Sequence, residues 1–245
     1  MIPKIIHYCW FGNSPLPELT VKCIESWKRN CPDYEIMFWD ESNFDVNEVR
    51  FCREAYMYKK YAFVADYVRL WALYNHGGIY LDTDMEMLKK ISPMLNLSAF
   101  IGLESDYAVG TAIIGCVKKH KWISELLHYY KDRSFIRPNG AHDTKPNPQI
   151  LTANLESYGF TTGNKFQVIK DFLTIYPIDY FYPLSYETKE ISLTKNSYCI
   201  HHYAATWCNK RGANLPKFIE VNYNRCVKLI RLLYKPILKY KRVKL

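Results

Sequence analysis

No stretch of about 18 consecutive apolar residues occurs in this chain of 245, so nothing in it reads as a membrane-spanning helix. A CxxC pair is also missing. The eight cysteines (Cys9, Cys23, Cys31, Cys52, Cys116, Cys199, Cys208 and Cys226) lie scattered, without the spacing of a zinc site or a disulfide framework. They fit thiols kept reduced inside a core, in a cytoplasmic protein. No cleavable leader is visible, because residues 1–11 are few, carry Lys4 and His7, and read as a strand. No internal repeat and no domain linker precedes Leu215.

What is present suits a folded domain: 49% hydrophobic and 23% charged residues argue against wholesale disorder. A chain of this length should bury about 70–75% of its unfolded surface. Aromatics reach 16%, with 21 tyrosines, which predicts an aromatic core and a minority of rings free to stack on a base or sugar. The net charge of +9 is unevenly placed. Residues 215–245 hold nine basic side chains against the single acid Glu220, so the body before them is close to neutral. The expected organisation is one domain over 1–214 and a basic tail over 215–245. A near-neutral body without interleaved basic and aromatic residues argues against a nucleic-acid partner.

Ile5, Ile6, Tyr8, Cys9 and Trp10 form a short apolar run that ends in a turn-rich stretch at 11–15. Leu19, Cys23, Ile24 and Trp27 recur at helical spacing until Cys31 and Pro32, and residues 34–39 read as a second strand. Strand, helix, strand is the opening of an α/β layered fold with a parallel sheet. A long helix is expected over 61–76, where Phe63, Val64, Tyr67, Val68, Leu70, Trp71 and Tyr74 follow the 3.6-residue period. Gly77 and Gly78 should end it, since glycine tolerates positive φ. Residues 79–81 then form a buried strand, and 85–88 continue apolar. Strands are expected at 100–103, 112–116, 166–169, 173–176 and 198–202, helices at 122–130 and 150–158, and a polar loop over 134–148.

The strand at 79–81 delivers Asp82, Thr83 and Asp84. Two carboxylates two residues apart at a strand end should point to the same side, into the space where ligands of open α/β sheets bind. Hard oxygen ligands of this kind suit Mg²⁺ or Mn²⁺ completed by phosphate and water. A solvated turn is the plainer reading of the tripeptide alone. Asp66 and Arg69 share a face of the preceding helix. They form either a surface ion pair or, given apolar neighbours from Ala62 to Leu70, a buried pair that needs partners.

Three blocks together resemble glycosyltransferase family 32: Ile2-Pro3-Lys4-Ile5-Ile6-His7 with Trp10-Phe11-Gly12, then residues 61–70, then Gly77-Gly78-Ile79-Tyr80-Leu81-Asp82-Thr83-Asp84. The resemblance spans about residues 2–207 and is strongest over 61–84. More distantly the arrangement is similar to the glucosyltransferase domains of clostridial toxins. The family pattern is departed from at Ala65 and Thr206, where serine is common. The resemblance implies a GT-A fold, a nucleotide-diphosphate sugar as donor, Mn²⁺ or Mg²⁺ as cofactor, and hexose transfer to a saccharide with retention of configuration. Capsule, lipopolysaccharide or other surface polysaccharide synthesis is the setting it implies.

Residue by residue, the resemblance implies that Trp10 stacks on the base, and that Asp66, Arg69 and Gly78 belong to the donor site. It assigns Asp82 to sugar or ribose hydroxyls and the metal shell, and Asp84 to the metal directly. His201 or His202 would complete the shell, and the indole N–H of Trp207 would donate to the leaving phosphate oxygen, with Lys210 or Arg211 offsetting its charge. Glu104 and Asp106 line either an acceptor cleft or a solvated loop. His7 reads as structural.

In the tail, Ile219, Tyr223, Cys226, Ile230 and Leu233 share one helical face, opposite Lys217, Lys228, Arg231 and Lys235. Such a basic amphipathic helix either packs on the domain or lies on the anionic inner face of the cell membrane, which would suit a lipid-linked acceptor. Two competing readings of the whole are a phosphatase of the haloacid-dehalogenase type, with the first Asp as nucleophile, and a non-catalytic module that binds nucleotide sugars.

Overall fold

The computed structural model describes residues 1–204. Trp207, Lys210, Arg211, the boundary at 214 and the basic tail lie outside the described residues.

Strands β1 (Ile5–Cys9) and β2 (Glu35–Trp39) flank helix α1 (Glu18–Asn30), as the opening pattern predicts. Helices α2 (Arg50–Met57) and α3 (Tyr61–His76) follow, then strands β3 (Gly78–Leu81) and β4 (Met85–Met87). Next come β5 (Ala99–Ser105), β6 (Ala108–Cys116), α4 (Lys121–Lys131) and α5 (Asn147–Glu156). The described part closes with β7 (Gln167–Ile169), β8 (Leu173–Tyr176), α6 (Ile178–Phe181) and β9 (Cys199–His201). Seven strands form one sheet in the order β2-β1-β3-β6-β5-β8-β7, and β4 pairs with β9 in a separate ribbon.

The expected sheet was parallel; the observed one is mixed. β2, β1 and β3 run parallel, but β6 enters antiparallel to both β3 and β5. The reason is the short connection at Asp106 and Tyr107, since two residues can join only antiparallel neighbours. Beyond it β8 is parallel to β5, and β7 is antiparallel to β8. The architecture remains α/β with a parallel-rich centre, the GT-A-like arrangement.

Side chains alternate across the sheet and divide the core in two. Tyr80 packs with Val64, Val68 and Leu73 of α3, whereas Ile79 and Leu81 pack with Trp27 of α1 on the opposite face. Helix α3 ends where Gly77 turns to φ +67°, and a Cβ there would come within 2.6 Å of the Lys118 backbone nitrogen. Gly78 lies at the other end of β3 from Asp82, where a Cβ would meet the Ile5 carbonyl oxygen at 2.7 Å. Its place in the structure is tight packing of β3 on β1, away from the carboxylates. His7 is buried in β1; its Nε2 donates to the Gly77 carbonyl at 2.7 Å and its Nδ1 accepts from the Trp39 indole at 3.1 Å. Burial lowers its pKa to about 4, so the ring is neutral.

Helices α2 and α6 carry little sequence signal, and so does the pairing of β4 with β9. Helix α5 also begins at Asn147, inside the expected loop, because Pro148 occupies its first turn, where a missing N–H costs nothing. The six cysteines among the described residues are all buried and free, as expected of core thiols.

Candidate active site

Asp82 has the same parity as Tyr80, so it faces α3, and there it meets Arg69. The Asp82 Oδ1 accepts from Arg69 Nη2 at 3.2 Å and from the Tyr80 hydroxyl at 2.9 Å. Arg69 is 5% exposed. Its Nη2 also pairs with Asp66 Oδ1 at 3.1 Å, and its Nη1 donates to the Thr111 carbonyl at 2.9 Å. The guanidinium stands 4.7 Å over the Tyr80 ring. Of the two readings of the Asp66–Arg69 pair, the buried one holds, and its partners are Asp82 and a backbone carbonyl. Burial pushes Asp66 up to about 6, against the pull of Arg69. The Asp66 backbone carbonyl is bonded in turn by Asn147 Nδ2 at 3.0 Å.

Thr111 can offer its carbonyl because β6 is out of step with β5. Ile101 pairs with Ile114 but Gly102 pairs with Gly110, so Thr111, Ala112 and Ile113 have no β5 partners. Ile113 still pairs with Leu81 of β3, and the backbone groups of Thr111 and Ala112 are spent on the site instead. Thr111 bonds Arg69, the Ala112 carbonyl accepts the Asp82 N–H at 2.8 Å, and the Ala112 N–H donates to the Tyr182 hydroxyl at 3.1 Å. Irregular pairing next to a site re-aims backbone in this way. Gly110 permits it, since a Cβ there would overlap the Tyr182 ring.

Asp84 is held differently. Residues 82–84 are not strand but a tight turn, closed by the Met85 N–H to the Asp82 carbonyl at 2.9 Å. The two carboxylates therefore do not simply point the same way from a strand end. Asp84 Oδ1 lies 3.3 Å from His201 Nε2, and Oδ2 accepts the Ala204 N–H at 2.8 Å. Burial opposes its ionisation, but His201 and the Ala204 N–H outweigh this and hold it at about 2. His201 shows the complement: burial lowers its pKa, yet Asp84 raises it overall. The β4–β9 ribbon that brings His201 here is clamped by α1, through the Trp27 indole to the Met85 carbonyl and Asn30 to the Met87 carbonyl.

Asp82, Asp84 and His201 each offer one ligand atom, all within 4.8 Å of one another. Two carboxylates suit Mn²⁺ or Mg²⁺ by ligand type, and an imidazole beside them favours Mn²⁺. The buried Nδ1 of His201 has no hydrogen-bond partner among the described residues, which also fits a site built for a further group. His202, the other expected ligand, is turned away because neighbours in a strand alternate; its Nε2 meets Glu86 at 3.1 Å.

Trp10 sits just past β1 and is partly exposed, its indole donating to the Ser14 carbonyl at 2.7 Å. The β1–β3 register pairs Ile6 with Ile79 and His7 with Tyr80. Continued, it sets Trp10 level with Thr83, on the same edge of the sheet as the carboxylates. Glu104 belongs to β5, not to a solvated loop, and lies 4.0 Å from His201 Nδ1. Tyr80, Thr111, Asn147 and Tyr182 escaped the sequence reading. Two signals were available: Tyr80 sits two residues before Asp82, and Gly110 interrupts a strand pattern.

Comparison with known proteins bears on this geometry. Residues 17–101 match the family described as glycosyltransferase sugar-binding region containing DXD motif. Inositol phosphoceramide mannosyltransferase 3 of Schizosaccharomyces pombe is 32% identical over 130 residues, 51% of this chain and 36% of that protein. Lactosylceramide 4-alpha-galactosyltransferase of Mus musculus is 29% identical over 125 residues, 51% of this chain and 33% of that protein. The chain thus spans little more than a third of the length of these relatives. Among solved structures, PaToxG glycosyltransferase is similar with a TM-score of 0.50 and 19% identity, over 64% of this chain and 68% of that one, a likeness of fold. Residues 17–101 thus match the sugar-binding region of DXD-containing glycosyltransferases, and the whole is carried on a GT-A-like fold.

Proposed function

We propose that the chain moves a hexose from a nucleoside diphosphate sugar to a hydroxyl of a saccharide or glycolipid, with a divalent cation as cofactor. The observation that carries this reading is the meeting of Asp82, Asp84 and His201 at the edge of the sheet, inside or beside a DXD sugar-binding region. A bound Mn²⁺ or Mg²⁺ would supply positive charge for the departing diphosphate. Arg69 fixes the Asp82 carboxylate and offsets the charge of Asp66 and Asp82. Asp66 and Asp82 would take donor hydroxyls, and Trp10, one strand over, the base. Trp207 keeps its proposed role as donor to the leaving oxygen. The acceptor hydroxyl attacks from the leaving-group side, giving retention, and no side-chain nucleophile is required.

The relatives' names supply the acceptor class: ceramide-linked inositol phosphate for one, a ceramide glycoside for another. A lipid-linked acceptor for this chain, met at the inner face of the cell membrane through residues 215–245, is in keeping with both. Surface polysaccharide or glycolipid assembly is the setting we infer.

A panel of UDP- and GDP-hexoses with Mn²⁺, scored for donor hydrolysis, tests the reading. Hydrolysis should vanish with EDTA and fall at least about a hundredfold in Asp84→Asn. Turnover indifferent to either change would sink it.

A further inference from the structure

A second group of side chains gathers on the β5 side of the site. Glu104 lies 4.0 Å from His201 Nδ1 and accepts a hydrogen bond from the Tyr203 hydroxyl. The Tyr203 ring centroid is 4.1 Å from that of His201. Its φ of 51° falls in the left-handed region, where a bulky aromatic is strained. Two bonds keep it there: its hydroxyl to Glu104, and the N–H of the next residue, Ala204, to Asp84 Oδ2 at 2.8 Å. Strain retained at Tyr203, which meets one carboxylate and precedes the residue that bonds the other, points to function rather than packing. Farther out, Tyr186 is 62% exposed and meets the edge of Tyr203 with centroids 5.3 Å apart. Lys189 Nζ stands 4.1 Å over the Tyr186 ring.

We propose that Glu104, Tyr203 and Tyr186 form the acceptor subsite, which takes a hydroxylated ring lying against the tyrosines and donating a hydroxyl hydrogen bond to Glu104. The inference rests on the transferase reading above. Position supports it first. Trp10 belongs to the β1 side of the carboxylates and Glu104 to the β5 side, with β3 and β6 between. A nucleotide that takes the β1 side leaves the β5 side for the second substrate. Chemistry supports it next. A sugar or inositol ring has apolar C–H faces that suit exposed aromatic surface and hydroxyls that suit a carboxylate acceptor. An acyl chain would offer nothing to the acceptor positions of Glu104 that Tyr203 leaves over. Lys189 adds a cation at the rim, which suits an acceptor with a phosphate next to the ring.

The test uses the full chain with Mn²⁺ and the nucleotide sugar it hydrolyses. Methyl α-D-mannopyranoside, methyl β-D-galactopyranoside and myo-inositol serve as acceptor probes, read both by product formation and by saturation-transfer NMR. Tyr186→Ala should raise the KM of the best probe about tenfold, the worth of one aromatic contact, with the donor KM within about twofold. Tyr186→Phe should restore the low KM, because the face and not the hydroxyl is used. Glu104→Gln should raise the same KM about tenfold through loss of a hydrogen bond to a charged acceptor. The proposal is overturned if both Tyr186→Ala and Glu104→Gln keep the probe KM unchanged, or if no probe gives an NMR signal with the wild-type protein. The NMR comparison needs no turnover, so it judges the subsite even where absent donor hydrolysis has already removed the transferase reading.

Discussion

Asp82 and Asp84 stand two residues apart and are held by opposite parts of the chain. Asp82 takes its bonds from Tyr80 and from Arg69, 13 residues upstream, inside one helix–strand unit. Asp84 is met by His201 and by Ala204, the latter 120 residues downstream. One half of the site is therefore part of the core of the sheet, while the other is completed only when β9 docks on β4. The first half should govern stability and the second should govern ligand chemistry.

Removing Arg69 is the strongest way to break that division. Arg69→Met leaves Asp66 and the half-buried Asp82 without their cation, so stability should fall by about 3–5 kcal/mol, read as a lower urea midpoint with unchanged slope. A smaller loss would mean that solvent reaches the pair more freely than its burial indicates. Acid attacks the same half from beneath, through His7. The folded protein holds His7 neutral down to about pH 4, whereas the unfolded chain protonates it near 6.5. Stability from this residue is therefore complete above pH 6.5 and lost as the pH falls toward 4, by about 3 kcal/mol in all. Asp66, raised to about 6, acts in the opposite sense over the same range, so the difference between the urea midpoints of the wild type and His7→Gln, moving against the wild type as the pH falls, reports His7. The smallest stability effect belongs to the Asp84 half. His201→Gln should cost only about 1 kcal/mol yet weaken Mn²⁺ binding at least about tenfold by titration calorimetry. Loss of stability equal to that of Arg69→Met would erase the distinction.

The same division explains what could be read from the sequence. Helix α3 runs over the residues its period marks, Gly77 and Gly78 both take positive φ, and Asp66 with Arg69 is buried as its neighbours suggest. All of these rest on contacts within a short stretch of chain. His201 and His202 could be singled out as a pair, but the choice between them depends on the pairing of β9 with β4. That pairing sets His201 opposite Met85, and it leaves no mark on the local pattern. The same is true of Tyr182, which reaches Ala112 across 70 residues, and of Asn147, which reaches Asp66 across 81. The parallel opening of the sheet holds for β2, β1 and β3 and fails at β6, because the tight turn at Asp106 and Tyr107 reverses the chain.

The offset between β5 and β6 matters to anyone who edits this protein. Excising Thr111, Ala112 and Ile113 would let the two strands pair without interruption from Gly102 through Ile101. A procedure that rewards regular ladders would favour that shorter chain. The deletion would also strip Arg69 of a carbonyl, Asp82 of the acceptor for its N–H, and Tyr182 of its amide neighbour. Regularity and reactivity compete for the peptide units of Thr111 and Ala112, as they often do where stability is optimised without reference to a ligand. Thermostabilised versions of this fold should be sought on the β7 edge or in α1, with that irregular step left as it is.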